Sequence, residues 1–173
     1  MMPTGPHAYL AGPTVFLQDA SRHGELLRSL CRDYGLVGVF PLDDLDSSTN
    51  LSARKIFEHN LARLRSCDVV IADISPFRGP HADDGTAFEM GFAHALSLPI
   101  FAYSRDCRPL VERIPAKRSL DLKLRDNNGL EIENFGLVQN LMLTCSLAGF
   151  HESSRAAIEA AATYLSRVNF KDR

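Results

Sequence analysis

A chain of 173 residues, 45% hydrophobic and 23% charged, has the apolar content for one substantial core and lacks the composition of a disordered or fibrous protein. Its net charge of −2 and the absence of a basic stripe argue against a nucleic-acid partner; Arg105, Arg108, Arg113, Lys117 and Arg118 read as a solvated loop or short helix. No apolar run is long enough for a bilayer, no signal-peptide pattern opens the chain, and the scattered Cys31, Cys67, Cys107 and Cys145 form no CxxC pair.

These features predict one cytoplasmic domain over residues 1–173, with reduced, mostly buried thiols and no membrane partner. The histidines show no zinc spacing, so no metal and no cofactor are expected.

The first predicted element is a buried strand at 7–11, stopped by Gly12 and Pro13. A glycine at the carboxyl end of a parallel strand lets a ligand approach the backbone. The spacing of Leu26, Leu27, Leu30 and Cys31 predicts a helix over 20–34, with Gly35 as its stop. A second strand follows at 37–40, then a loop carrying Asp43 and Asp44. Ser47, Ser48, Thr49 and Asn50 offer caps for a helix over 52–65, whose Ile56, Leu61 and Leu64 share one side. The run 68–74 is apolar and β-branched, as suits a central strand covered on both faces, and Asp73 lies at its carboxyl end. A Pro- and Gly-rich loop occupies 75–82. A helix from Asp84 toward Pro99 and a strand at 100–103 come next.

Alternating strands and helices predict an α/β fold: a doubly wound, flavodoxin-like or Rossmann-like domain whose mainly parallel sheet of about five strands is flanked by helices. In the last third, 120–128 is polar, 126–129 is a turn and 133–136 a loop. A helix over 137–147 would carry Leu141 and Cys145 inward. Another over 153–168, with a Ser cap, would bury Ala157, Ile158, Ala161, Ala162 and Leu165. A fifth strand is expected, without a defined position.

Between Asp84 and Pro99 there is no Lys or Arg. On a helix, Glu89, Ala93 and Leu96 share one face, and Phe88, Phe92 and Ala95 the adjacent one. A helix apolar all round is normally buried, and a buried carboxylate is costly unless it is paired or hydrogen-bonded. Glu89 is therefore either a surface residue facing water or a carboxylate with a partner and a task.

Ligands of open parallel sheets bind beyond the carboxyl ends of the strands. The loops predicted there carry Tyr9 and Gly12, Asp43 and Asp44, Asp73, and Asp83 with Glu89. Paired carboxylates without a metal suit retaining glycosidic chemistry, one as nucleophile and one as proton donor and acceptor. No GxGxxG follows the first strand, and no GxxxxGK-Ser/Thr or GxSxG motif is present, so dinucleotide, triphosphate and acyl-transfer chemistry lack support.

Four pieces occur in order along the chain. They are Tyr9-Leu10-Ala11-Gly12-Pro13-Thr14-Val15-Phe16; Pro76-Phe77-Arg78-Gly79-Pro80; Asp83-x-Gly85-Thr86-Ala87-Phe88-Glu89-x-Gly91; and Glu133-Asn134-Phe135-Gly136-Leu137 with Asn140-Leu141-Met142. Together they resemble the nucleoside 2-deoxyribosyltransferases, more the purine-exchanging branch than the branch that takes purines and pyrimidines.

The resemblance implies that Glu89 attacks C1′ of a 2′-deoxynucleoside and holds the sugar as an ester. It implies that Asp83 protonates the departing base and deprotonates the incoming one, and that Tyr9 orients the nucleophile. Asp73 corresponds to a base-contacting residue, and the loop around Asp43, Asp44 and Asp73 bears on base preference. Asn140 and Met142 correspond to residues that reach a neighbouring subunit's site, the Asn toward the sugar 5′-hydroxyl. A homo-oligomer with shared sites, a dimer or a hexamer as a trimer of dimers, follows from this, with a 2′-deoxynucleoside and a free nucleobase as small-molecule partners in nucleoside salvage.

In that chemistry Glu89 must be ionised, and a nearby carboxylate with burial would help Asp83 hold a proton. Two departures stand out: Asp84 adds an acid beside Asp83, and Ser97 replaces a more usual glycine. The runner-up is a nucleoside 5′-monophosphate N-glycosidase; Asn140-Leu141-Met142, where those hydrolases need a phosphate pocket, favours transfer. A nucleotide sensor without turnover is the remaining reading.

Overall fold

The computed structural model describes residues 5–43, 52–119 and 121–171. In chain order these form β1 (His7–Ala11), a 3-10 turn (Pro13–Phe16), α1 (Ala20–Asp33), β2 (Val37–Val39), α2 (Ala53–Arg65), β3 (Val69–Asp73), α3 (Asp84–Ala95) and β4 (Ile100–Tyr103). There follow α4 (Leu110–Arg113), β5 (Lys117–Arg118), β6 (Leu124–Arg125), α5 (Leu141–Thr144), β7 (Gly149–His151) and α6 (Ser154–Lys171). Five strands make one wholly parallel sheet in the order β2-β1-β3-β4-β7. The connections reverse direction between β1 and β3, and a crevice opens at such a reversal beyond the strand ends.

Alternation along the strands assigns the two faces. Ala8 and Leu10 of β1 and Val69 and Ile71 of β3 pack with Cys31 of α1 and with Ala157, Ile158, Ala161 and Leu165 of α6. Tyr9 and Ala11, with Val70 and Ala72, pack with Leu64 of α2 and with Met90 and Ala93 of α3. Every residue of β3 is buried, as its unbroken apolar run requires. The inward set predicted for the last helix is the one found, with Ser153 Oγ accepting from Ala156 N at 3.3 Å.

Several expectations need correction. The helix predicted over 137–147 shrinks to Leu141–Thr144, because the residues before it are claimed elsewhere. Leu137 O accepts from Leu110 N, Val138 O from Arg113, and the buried Gln139 donates Nε2 to Ile74 O at 2.9 Å. Cys145 is exposed rather than inward, and so is Cys107, leaving only Cys31 and Cys67 as buried thiols. Of the residues whose spacing predicts α1, Leu26 is 58% exposed.

The cap of α2 is Ser52, whose Oγ accepts from Lys55 N at 3.3 Å; Ser47, Ser48, Thr49 and Asn50 lie outside the described residues. The fifth strand is β7, an edge strand of three residues with a glycine and a histidine. The antiparallel β5–β6 pair falls in sequence with no alternation to announce it. Ser97, flagged as an unusual replacement for glycine, has φ 59 at the end of α3, where a left-handed residue lets Leu98 N reach Ala93 O.

Candidate active site

The site is built on the face of the sheet covered by α2 and α3. Tyr9 lies mid-strand in β1 with no exposed surface, its ring enclosed in the cluster that contains Leu64, Met90 and Ala93. Asp83 caps α3 in an extended conformation, its Oδ2 accepting from Thr86 N at 2.9 Å and Thr86 Oγ1 at 3.1 Å. This capping bond fixes the first turn of α3 and hence the direction of Glu89 in the second. Tyr9 Oη donates to Glu89 Oε1 at 2.5 Å, a short bond of the kind made to a charged acceptor. Among the described residues no other hydrogen bond reaches the Glu89 carboxylate.

Burial pushes the Glu89 carboxyl up to about 7; the Tyr9 hydrogen bond opposes the rise and the charge of Asp83 adds to it. Burial, and then the charge of Glu89, drives the Tyr9 hydroxyl far above its ordinary range, so Tyr9 remains a donor throughout. Burial thus favours the protonated form of Glu89 more than in an ordinary carboxyl group. Of the choices left open by sequence, a surface Glu is excluded: Glu89 is partly buried and partnered.

Asp83 also lines a cavity of about 290 Å³ enclosed by 77–84. Gly12 is buried against Asp73, whose Cβ would lie 2.9 Å from a Cβ added there, which explains the absence of a side chain at 12. Asp73, however, is not gathered with Glu89. It is 3% exposed, its Oδ1 accepts from Ser75 N at 2.9 Å, and it lines a separate cavity on the side of α1 and α6.

Asp43 sits in a cluster between α1 and α2. It is paired with Arg28, lies 3.5 Å from Arg63 Nη2, and accepts the Phe40 amide at 2.9 Å. Its neighbour Asp44 is outside the described residues. Asn140 caps α5, donating Nδ2 to Glu133 Oε1 at 2.6 Å and accepting from Met142 N at 2.9 Å, while Met142 is 73% exposed. The Asn140 amide is therefore held at both ends, and the Met142 side chain projects away from its own chain.

Sequence reasoning missed Asn60 and Arg63 on α2. Asn60 lies one turn before Leu64, which packs with Tyr9, and its Oδ1 is buried without a hydrogen-bond partner among the described residues. A buried, unpaired amide oxygen is costly and calls for a partner such as a ligand. The available signal was a polar residue in the stripe Ile56, Asn60, Leu64. Arg63, besides contacting Asp43, lowers the Tyr9 hydroxyl slightly by its charge and so borders the same site. Among the described residues no group of His, Cys, Asp and Glu is placed to hold a metal, and no helix is long and apolar enough to cross a membrane.

The arrangement can attack an electrophilic carbon with one carboxylate oxygen and exchange a proton through the neighbouring Asp83. Comparison with known proteins agrees in kind. Residues 8–142 match the model of a family described as nucleoside 2-deoxyribosyltransferase. An uncharacterised protein of Schizosaccharomyces pombe is 31% identical over 157 residues, covering 79% of this chain and 74% of its own. A 2-deoxyribosyltransferase from Leishmania mexicana is similar in structure, with a TM-score of 0.76 and 36% identity over 91% of this chain and 97% of that one. The 2-deoxyribosyltransferase of Bacillus psychrosaccharolyticus shares the fold, with a TM-score of 0.55 and 22% identity over 88% and 90% of the two chains.

Proposed function

The chain belongs to the nucleoside 2-deoxyribosyltransferase family, and from that premise we propose that it moves 2-deoxyribose between nucleobases by double displacement on Glu89. The observation that carries this reading is the 2.5 Å bond from Tyr9 to Glu89. It steadies one carboxylate oxygen and leaves the other for C1′. As that oxygen bonds to C1′, the bond from C1′ to the base nitrogen breaks, and the leaving nitrogen takes its electron pair and a proton from Asp83. The incoming base reverses the sequence: its nitrogen bonds to C1′, its proton passes to Asp83, and Glu89 departs as a carboxylate. Splitting the displacement in two retains configuration.

Only the ionised form of Glu89 attacks, so burial that raises it to about 7 makes the rate climb with pH through that value, and the Tyr9 bond limits the rise. The orphan oxygen of Asn60 supports a contact to an N–H of the base, with the cluster of Asp43 and Arg63 of α2 nearby. A purine preference follows the family resemblance of the 76–80 loop. Exposure of Met142 at 73%, Phe88 at 53% and Phe57 at 42% supports a homo-oligomer in which Asn140 and Met142 complete a neighbour's site.

The test is incubation with deoxyinosine and adenine. Deoxyadenosine is the expected product; hypoxanthine with free deoxyribose would make the protein a hydrolase instead.

A further inference from the structure

A cavity of about 510 Å³ opens beyond the strand ends on the side of α1 and α6, opposite the Tyr9–Glu89 pair. This volume lies within the range of about 300–1,000 Å³ typical of small-molecule sites. Neither Tyr9, Asp83 nor Glu89 lines it. In transfer, the reacting base is bonded directly to C1′, the atom Glu89 must reach to within about 3–3.5 Å. A pocket walled by neither Glu89 nor Asp83 does not hold the base being exchanged.

One wall of the cavity is aromatic. The rings of Phe16 and Phe77 stack at 5.4 Å and 20°, with the Arg78 guanidinium 5.3 Å and 4.6 Å from their centres. Leu26 and Leu27 of α1 also line the cavity. Phe16, Leu17 and Leu26, exposed by 58%, 43% and 58%, all border this one space, so an occupant would cover three of the large apolar side chains that the chain otherwise leaves to water. The polar lining includes His23, Arg105 and Glu152, and its most deeply buried charged side chain is Asp73, 3% exposed and fixed by the Ser75 amide. An ionised carboxylate only accepts hydrogen bonds, so its ligand must bring N–H or O–H donors.

We infer that this cavity is a second, non-catalytic binding site for a planar nitrogen heterocycle bearing N–H donors, stacked on Phe77 and hydrogen-bonded to Asp73. Free nucleobases and nucleosides share this chemistry. The inference rests on the transfer reading only in separating the cavity from the reacting base.

Glu89→Gln protein, which cannot form the ester, is titrated calorimetrically with adenine and, separately, with deoxyadenosine. A second binding event per chain is expected with at least one of them, and the ligand that produces it distinguishes base from nucleoside. Leu26→Trp in the same background fills the cavity from an exposed position and removes that event. Asp73→Asn weakens it by about tenfold. Leu26→Trp alone keeps its melting temperature and an exchange rate within about threefold of the parent. A single binding event insensitive to both substitutions would overturn the inference, as would loss of exchange in folded Leu26→Trp. If the parent shows no exchange at all, the transfer reading fails, while a Leu26-sensitive binding event still establishes the site.

Discussion

Tyr9 and Glu89 meet on the face of the sheet under α2 and α3, whereas Tyr103 and Asp73 lie at the ends of adjacent strands on the side of α1 and α6. One layer of strands thus separates two tyrosine–carboxylate pairs. Burial and the Asp73 charge hold the Tyr103 hydroxyl well above its ordinary range, as burial and Glu89 do for Tyr9. The carboxylates differ. Asp73 interacts with Tyr103 but is also fixed by the amide of Ser75, two residues on, so its own chain orients it. Glu89 is reached by a hydroxyl 80 residues away in sequence and by no other hydrogen bond among the described residues. A carboxylate satisfied by local backbone suits recognition. One desolvated, and steadied at a single oxygen by a distant hydroxyl, keeps a lone pair for chemistry.

The largest effect should come from removing the group that distinguishes the two pairs. Glu89→Ala is expected to lower the exchange rate by about ten-thousand-fold or more in a base-exchange assay at saturating substrates. Near-normal turnover would break the comparison outright.

Tyr9→Phe sharpens it. Loss of the hydroxyl should cost about 10–100-fold in kcat. It should also move the acid limb of the pH–rate profile upward from about 7, because the lost bond is the influence that lowers the Glu89 carboxyl. Stability responds to pH in the opposite direction to rate. A carboxyl raised in the folded state contributes stability below its ordinary range near 4.5, and this is lost as pH rises through about 7.

Gly12→Ala probes the contact between the two regions. Its Cβ would stand 2.9 Å from that of Asp73, and a thermal melt should show a loss of about 1–3 kcal/mol. An unchanged melt would mean that Asp73 is free to move aside. The smallest effect belongs to Ser97→Gly, which relieves a left-handed serine at φ 59 and should raise stability by about 1 kcal/mol without altering turnover.

How much of this was legible beforehand differs by region. β1, β3, α3 and β4 were readable because their apolar runs and stops are local properties of the chain. Glu89 was readable as an anomaly, a carboxylate inside an otherwise apolar run without Lys or Arg. β7 was not, since three residues containing Gly149 and His151 become a strand only because β4 offers an edge. The short α5 was not, since Leu137, Val138 and Gln139 are drawn to partners distant in sequence. Asp73 and Glu89 were predicted to share one cleft from their positions at strand ends. Strand alternation, which sends Asp73 to the other face, was the overlooked constraint, just as the polar Asn60 in an apolar stripe was the overlooked residue.

The central claim is that Glu89 becomes covalently bonded to the sugar. Intact mass spectrometry after brief exposure to deoxyinosine without an acceptor base tests it most directly. The account predicts a deoxyribosyl adduct that maps to the peptide containing Glu89, is absent from Glu89→Ala, and disappears on addition of adenine as deoxyadenosine forms. An unmodified mass under conditions where exchange proceeds would contradict it.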